Sequence, residues 1–196
     1  MSFVTFKVPQ FPQYTVFYSY FTDVSHDSLH KVKQLVISGD KDYDFCFLNV
    51  HNLVSLQLLR YSVYRSLLNF EIGAMKAKTL NAEIILNLSP INNIVDALKR
   101  FGLDDTKSLV LVVSVVKDSD ISGDTFTNIN NTLLNMLNVS AEHNVELTDD
   151  YLFKQLDLPK FKKLFKLNDA VLPSKDSQLQ ARLVTLALGA CTIRGV

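Results

Sequence analysis

The chain has 196 residues, 47 % of them hydrophobic and 20 % charged, the composition of a folded globular protein and not of a disordered one. Twenty basic residues balance twenty acidic ones, which excludes a module that holds nucleic acid by bulk charge alone but leaves room for a local basic patch. No tryptophan, six glycines and five prolines exclude collagen-like, linker-like and glycine-rich phosphate-loop chains.

From the N-terminus, the first strand is predicted at Tyr14–Phe21, rich in aromatic and β-branched residues and fenced by Pro9 and Pro12. The segment Met1–Phe21 lacks the charged start, apolar stretch and small-residue cleavage site of a signal peptide. A helix follows at about Ser25–Ile37, with Leu29, Val32 and Val36 on one face and Gly39 as its stop. Asp44–Asn49 reads as a short apolar strand. Leu53–Phe70 is too long for a strand and reads as a helix, apolar nearly all round, with a thin polar stripe of Ser55, Ser62, Ser66 and Asn69. Such a helix is buried on most sides, either as the core helix of one domain or in part beneath a partner. The polar residues in Phe45–Phe70 (His51, Gln57, Arg60, Arg65) argue against a membrane span.

Glu83–Leu88 is predicted as a strand. Ser89 then fits an N-cap and Pro90 the first helical position, followed by Ile91, Ile94, Val95 and Leu98 at the spacing of one apolar face. Asp96 and Arg100 pair on the outer face, beside Asn92, Asn93 and Lys99, and Gly102 ends the helix. Leu109–Val116 suits an interior strand covered on both faces. Strand and helix alternate from Asp44 to Val116, the rhythm of an α/β sheet, with right-handed crossovers if the strands are parallel. Past a polar loop, helices are predicted near Asn128–Leu137, Asp149–Leu156, Lys160–Leu167 and Ser177–Ala190. The expected fold is α/β, a mixed central sheet of about four strands with helices packed on it and a helix-rich C-terminal half, with α+β as the alternative. No proline- or glycine-rich linker divides it. Residues 1–196 read as one domain: a sheet-forming part at about 1–118, a helical layer at about 124–192 and a free tail at 193–196.

The sequence holds no HExxH, no Gly-x-Ser-x-Gly and no Walker loop. Cys46 and Cys191 sit far apart in apolar runs and read as buried thiols. His26 and His30 are four apart on a helix, but no third ligand is spaced to complete a metal site, so they read as a solvated face. Asp118, Asp120, Ser122 and Gly123 resemble the front of a calcium loop, but Ile129 stands where its bidentate glutamate belongs. Asp104–Asp105 and Asp149–Asp150 read as loop and helix-end acids. The Asn-x-Ser/Thr matches at Asn87, Asn130 and Asn138 read as chance. No cofactor or metal is expected. Two segments carry a binding signal. Lys160, Lys162, Lys163 and Lys166 alternate with Phe161, Leu164, Phe165 and Leu167, either as phosphate contacts or as the wet face of an amphipathic helix. On the last helix Gln178, Arg182, Thr185 and Gly189 form a polar stripe opposite Leu179, Leu183, Leu186 and Ala190, with Gly189 open to close backbone approach. Arg194 follows in a tail that is either a contact or simply a loose end.

The segment Lys78–Gly102, read as KTLNAEIILNLSPINNIVDALKRFG, closely resembles the TPRKB family, the small kinase-binding subunits of the KEOPS (EKC) complex. Pro9-Gln10-Phe11-Pro12, Lys162–Leu167 and Ile193–Val196 are similar to the family's start, its basic helix and the tail of its fungal members, so the resemblance covers nearly the whole chain. It implies a non-catalytic subunit that directly binds and stimulates a PRPK-type atypical kinase acting as an ATPase. It further implies indirect association with other KEOPS subunits and help in making threonylcarbamoyl-adenosine in tRNA, through the tRNA 3′ CCA end. A telomere role, residence in cytoplasm and nucleus, a monomer in isolation, weak tRNA binding alone and no membrane partner complete the expectation. Carried onto this chain, it makes Asn92, Asn93, Ile94 and Arg100 the kinase contacts. Lys76, Lys78 and Arg194, with Lys162 and Lys163 behind, become the tRNA contacts. Relatives often carry arginine where Lys78 stands, and lysine lacks the flat bidentate fork. The alternative is a small α/β enzyme with a pocket near Asp44, Cys46 and His51.

Overall fold

The computed structural model describes residues 2–194; Met1, Gly195 and Val196, the last two being half of the predicted tail, lie outside the described residues. In chain order the elements are β1 (Phe3–Lys7), β2 (Tyr14–Phe21), α1 (His26–Ser38), β3 (Cys46–Leu48), α2 (Leu56–Glu71), α3 (Leu80–Leu88), α4 (Ile94–Phe101), β4 (Val110–Lys117), α5 (Thr125–Leu137), β5 (Asn144–Val145), α6 (Asp149–Gln155), α7 (Leu158–Leu164) and α8 (Asp176–Thr192). Two compact units result, one built from Met1–Asn49 and Gly102–Leu147, the other from Val50–Phe101 and Thr148–Val196.

The first unit holds a five-stranded sheet with helices packed on it, so the fold is mixed α and β. The strand order is β1-β2-β4-β3, every pair is antiparallel, and β5 also pairs with β2. One edge of β2 is shared by two strands: β1 takes Thr15–Ser19 and β5 takes Tyr20 and Phe21. The other edge pairs with β4 along its full length. Side chains alternate across the sheet. Phe17, Phe21, Phe47, Val110 and Val112 cluster with Leu29 and Val32 of α1 and Leu133 and Leu137 of α5. Val16, Tyr18, Tyr20, Leu111, Val113, Cys46 and Leu48 alternate with them and are buried too. Burial on both faces explains why β4 reads as an uninterrupted valine and leucine run although the sheet is antiparallel. The crossover expectation for Asp44–Val116 is therefore corrected: β3 and β4 are antiparallel neighbours, Cys46 opposite Val113 and Leu48 opposite Leu111.

A buried polar cluster fixes the sheet end. Ser19 Oγ donates to Asn130 Oδ1 at 2.7 Å, and Asn130 Nδ2 donates to Asn144 Oδ1 at 3.0 Å. Asn144 Nδ2 donates to Ser19 Oγ and to the Ser2 and Tyr20 carbonyls. Every polar atom so placed offsets its own desolvation. Helix α1 follows its sequence signals: Ser25 Oγ accepts from Ser28 N, and Gly39, at φ 78°, closes the end. There the Gly39 and Asp40 N–H groups donate to Val36 and Leu35 carbonyls in a Schellman arrangement.

The second unit is helical. The polar stripe of α2 is not a wet face: Ser62 and Ser66 are wholly buried, and Ser66 Oγ accepts from Asn87 Nδ2 of α3 at 2.8 Å. Glu83–Leu88, predicted as a strand, lies in α3, with Thr79 as N-cap. Its run of apolar residues comes from burial all round, a pattern that does not separate a buried helix from a buried strand. In α7, Phe161 and Phe165 stack at 4.3 Å between ring centroids, and Phe165 meets Phe101 edge-on at 6.5 Å. Helix α8 buries Leu183, Val184, Ala187 and Cys191. Gly189 is exposed, and among the described residues nothing lies within 4 Å of where its Cβ would stand, so the close approach it would allow is not made there.

Candidate functional site: the outer face of helix α4

Ser89 and Pro90 do not start α4, as their order suggests. Proline holds the residue before it extended, and Ser89, at ψ 138°, is the C-cap of α3. Its Oγ accepts from Ile91 N at 3.1 Å. The cap of α4 is Asn93, whose Oδ1 accepts from Asp96 N at 3.0 Å. Asp96 stands in the first turn and Lys99 and Arg100 in the last, each sign facing the favourable end of the helix dipole. Arg100 Nε meets Asp96 Oδ2 at 2.7 Å, the pairing that the spacing predicts.

The buried face is not the predicted one. Ala97 and Phe101 are fully buried. Ile91, Val95 and Leu98, predicted to face the core, are instead exposed by 37, 73 and 42 %. Ile94 and Arg100 are half-buried, while Asn92 and Asn93 are exposed. Val95 and Leu98 thus lie exposed on one side of a short helix, and Ile91 stands exposed in the segment just before it, with polar neighbours in the sequence around them. A cluster of this kind on a protein surface marks a contact site more often than chance exposure of single residues does. Of the four expected kinase contacts, Asn92 and Asn93 lie between Ile91 and the helix, Ile94 is its first residue, and Arg100, two positions past Leu98, lies on another side of α4, paired with Asp96; the exposed apolar trio is what the sequence pattern does not reveal. What the pattern does hold is a second stripe: Ala97 and Phe101 form an i, i+4 apolar pair of their own.

The expected tRNA residues fall in three places. Lys76 and Lys78 are exposed on the loop between α2 and α3. That loop is tied to buried Glu83, whose Oε2 accepts from the Lys76 and Ala77 N–H groups at 3.0 and 2.8 Å and whose Oε1 accepts from Asn69 Nδ2 at 2.7 Å. Lys162 is half-buried and Lys163 exposed on α7, over the buried Phe161 and Leu164. Arg194 is not in a free tail. Its Nη1 donates to the Leu86 and Ser89 carbonyls and its Nη2 to Asn87 Oδ1, so the guanidinium occupies the C-terminal end of α3.

The enzyme alternative names Asp44, Cys46 and His51. Cys46 is wholly buried in β3, and desolvation drives its thiol far above the ordinary range. Asp44 is exposed and His51 half-buried. Among the described residues no cluster of His, Cys, Asp and Glu could hold a metal ion. Asp118 of the calcium-like loop is engaged by Lys7 Nζ and by Thr15 Oγ1. No helix among the described residues is long and apolar enough to cross a membrane.

The family model described as "Kinase binding protein CGI-121" matches residues 21–195. The chain is 46 % identical to "EKC/KEOPS complex subunit CGI121" of Debaryomyces hansenii over the whole of both chains. Its identity to the protein of the same name in Candida albicans is 41 %, over 96 % of this chain and 97 % of that one. The Yarrowia lipolytica protein so named is 34 % identical, over 96 and 98 %.

Proposed function

The chain belongs to the CGI-121 family of kinase binding proteins, and on that premise we propose that it is a non-catalytic EKC/KEOPS subunit that binds the complex's small PRPK-type kinase through the outer face of α4. The observation that carries this reading is the exposed trio Ile91, Val95 and Leu98. Interface energy concentrates in a few side chains that become fully desolvated within a rim of contacts that exclude water. Asn92, Asn93 and Lys99 are the exposed polar residues next to that trio in the sequence. In this reading the subunit stimulates the kinase's ATPase, meets other EKC/KEOPS subunits only through the kinase, and supports threonylcarbamoyl-adenosine synthesis in tRNA. Lys76 and Lys78, with Lys162 and Lys163, meet phosphates near the tRNA 3′ CCA end, weakly in the isolated, monomeric chain. The protein works in cytoplasm and nucleus, with a contribution to telomere maintenance.

The test is calorimetric titration of the chain into the kinase of its own organism, with ATPase followed in parallel. The expected result is saturable one-to-one binding and a raised ATPase rate. Val95→Asp should then cost about 2 kcal/mol, or about thirtyfold in Kd, with the circular dichroism of the free chain unchanged. Wild-type affinity in Val95→Asp would place the interface elsewhere.

A further inference from the structure

Arg194 Nη1 donates to the Ser89 carbonyl at 2.9 Å, and Cys191 Sγ approaches the Leu88 carbonyl at 3.5 Å. Together with the bonds to Leu86 O and Asn87 Oδ1, these contacts bring the end of α8 onto the last turn of α3. A helix leaves its final carbonyls without partners, and a cation there also meets the negative end of the dipole. A guanidinium satisfies several acceptors at once because its donors are fixed in a plane. The bonds continue inward: Asn87 Nδ2 donates to Ser66 Oγ, which donates to the Ser62 carbonyl of α2. Outward lies the segment that carries the apolar face. Ser89 O belongs to the peptide that enters Pro90, and Ile91 N–H donates to Ser89 Oγ. The buried anchors Ala97 and Phe101 hold only the later part of α4; the path from Ser89 to Ile91 is set from α3 and from Arg194.

We infer that Arg194 is a positioning residue for the partner-binding face, a strap from the chain's last residues that fixes the Ser89–Ile91 turn and so aims Ile91 and Val95. The inference rests on the proposed use of α4. The guanidinium has gone from the expected RNA contact to an internal one. Half-buried among carbonyls, it is desolvated, and its pKa is lowered for that reason. Lysine at this position keeps the charge but reaches fewer of the three acceptors.

The test uses the full chain as wild type, Arg194→Ala, Arg194→Lys and Val95→Asp, each well below its melting midpoint. Two quantities are read: amide hydrogen exchange at Ile91–Asp96 and kinase affinity by titration. The strap predicts faster exchange in that segment for Arg194→Ala, unchanged protection in β2 and β4, and affinity lowered about tenfold. Arg194→Lys should fall between the two. Methylguanidinium added to Arg194→Ala should restore both readouts in part and do nothing for Val95→Asp. A purely stabilising Arg194 would lower the melting point yet leave the affinity of the folded chain untouched, which overturns the inference. Exchange and affinity equal to wild type in Arg194→Ala overturn it as well. Loss of binding in Arg194→Ala with Val95→Asp binding normally would sink the proposed use of α4 and not the strap's effect on the turn.

Discussion

Glu83 is wholly buried, yet three donors converge on its carboxylate. A buried carboxylate is tolerated when each lone pair is met, and the same arrangement becomes costly once a donor loses its acceptor. Glu83→Gln places an amide NH₂ against N–H donors and should lower the unfolding free energy by about 1–3 kcal/mol, read as a shift in the urea midpoint. An unchanged midpoint would mean that the Lys76–Lys78 loop does not depend on this residue. Asp105 is a second residue whose charge is held from outside. Lys33 Nζ donates to it at 2.6 Å and His30 Nδ1 lies 2.9 Å away, and these bonds depress its pKa below the ordinary carboxylate range. A carboxyl depressed in the folded state adds stability above its unfolded pKa and loses it as pH falls through the folded one. Asp105→Asn should therefore flatten the loss of stability below about pH 4 while costing less than about 1 kcal/mol at pH 7, measured by urea melts across pH. Cys191 is protected in a related way: burial pushes its thiol up to about 12, with Arg194 pulling against that shift. It should resist alkylation in the folded chain.

At the scale of elements, α4 shows that an apolar period does not say which of two stripes takes the core: Ala97 and Phe101 are buried, and Ile91, Val95 and Leu98 are left outside. Helix α8 offers a simpler test. Gly189 lies in the last turn of α8, and a Cβ there would meet no other described atom within 4 Å outside its own turn of helix, so Gly189→Ala should stabilise the chain by up to about 0.5 kcal/mol, seen as a higher melting midpoint. Elements with strong local punctuation were legible from the residues alone. Strand β2 has its predicted bounds, and α1 has its predicted glycine stop, with Ser25, the predicted first residue, as its cap. Helix α2 and the four helices of the C-terminal half lie within a few residues of expectation. Strands β1 and β5 were not anticipated, since β1 mixes polar and apolar residues and β5 has only two. Helix α3 was misread because all of Glu83–Leu88 is buried, which erases the helical period that a wet face would reveal. Of the site, the motif's polar residues were legible and the exposed trio was not, because two apolar stripes share α4 and the sequence does not say which one the core takes.

For the whole molecule, zero net charge and the exposed apolar face proposed as the kinase contact make one joint prediction. Kinase association should show a negative heat-capacity change and vary little with salt. Association with single-stranded tRNA ends should weaken steeply, with a log–log slope of about −0.7 for each phosphate neutralised. Equal salt slopes for the two partners would contradict the division of labour proposed for α4 and the lysine loop. The two units each draw on two separate stretches of chain, so neither could be assigned from a composition shift or a linker. Of the three potential glycosylation acceptors, Asn87 and Asn130 are buried side chains with hydrogen-bond partners, which accords with reading those matches as chance.

Strand β2 lies between β1 and β4, and β4 is far along the chain. During synthesis, Tyr14–Phe21 can form its hairpin with β1 at once. Its other edge must wait until Val110–Lys117 leaves the ribosome, about 5–20 s later at ordinary elongation rates. Throughout that interval a nascent chain displays eight residues that are all buried at the end, with one row of backbone groups open to any passing strand. Production of this protein should therefore depend on chaperones that hold nascent chains. Slow codons placed just before Val110 should lower its yield more than the same codons placed within α8.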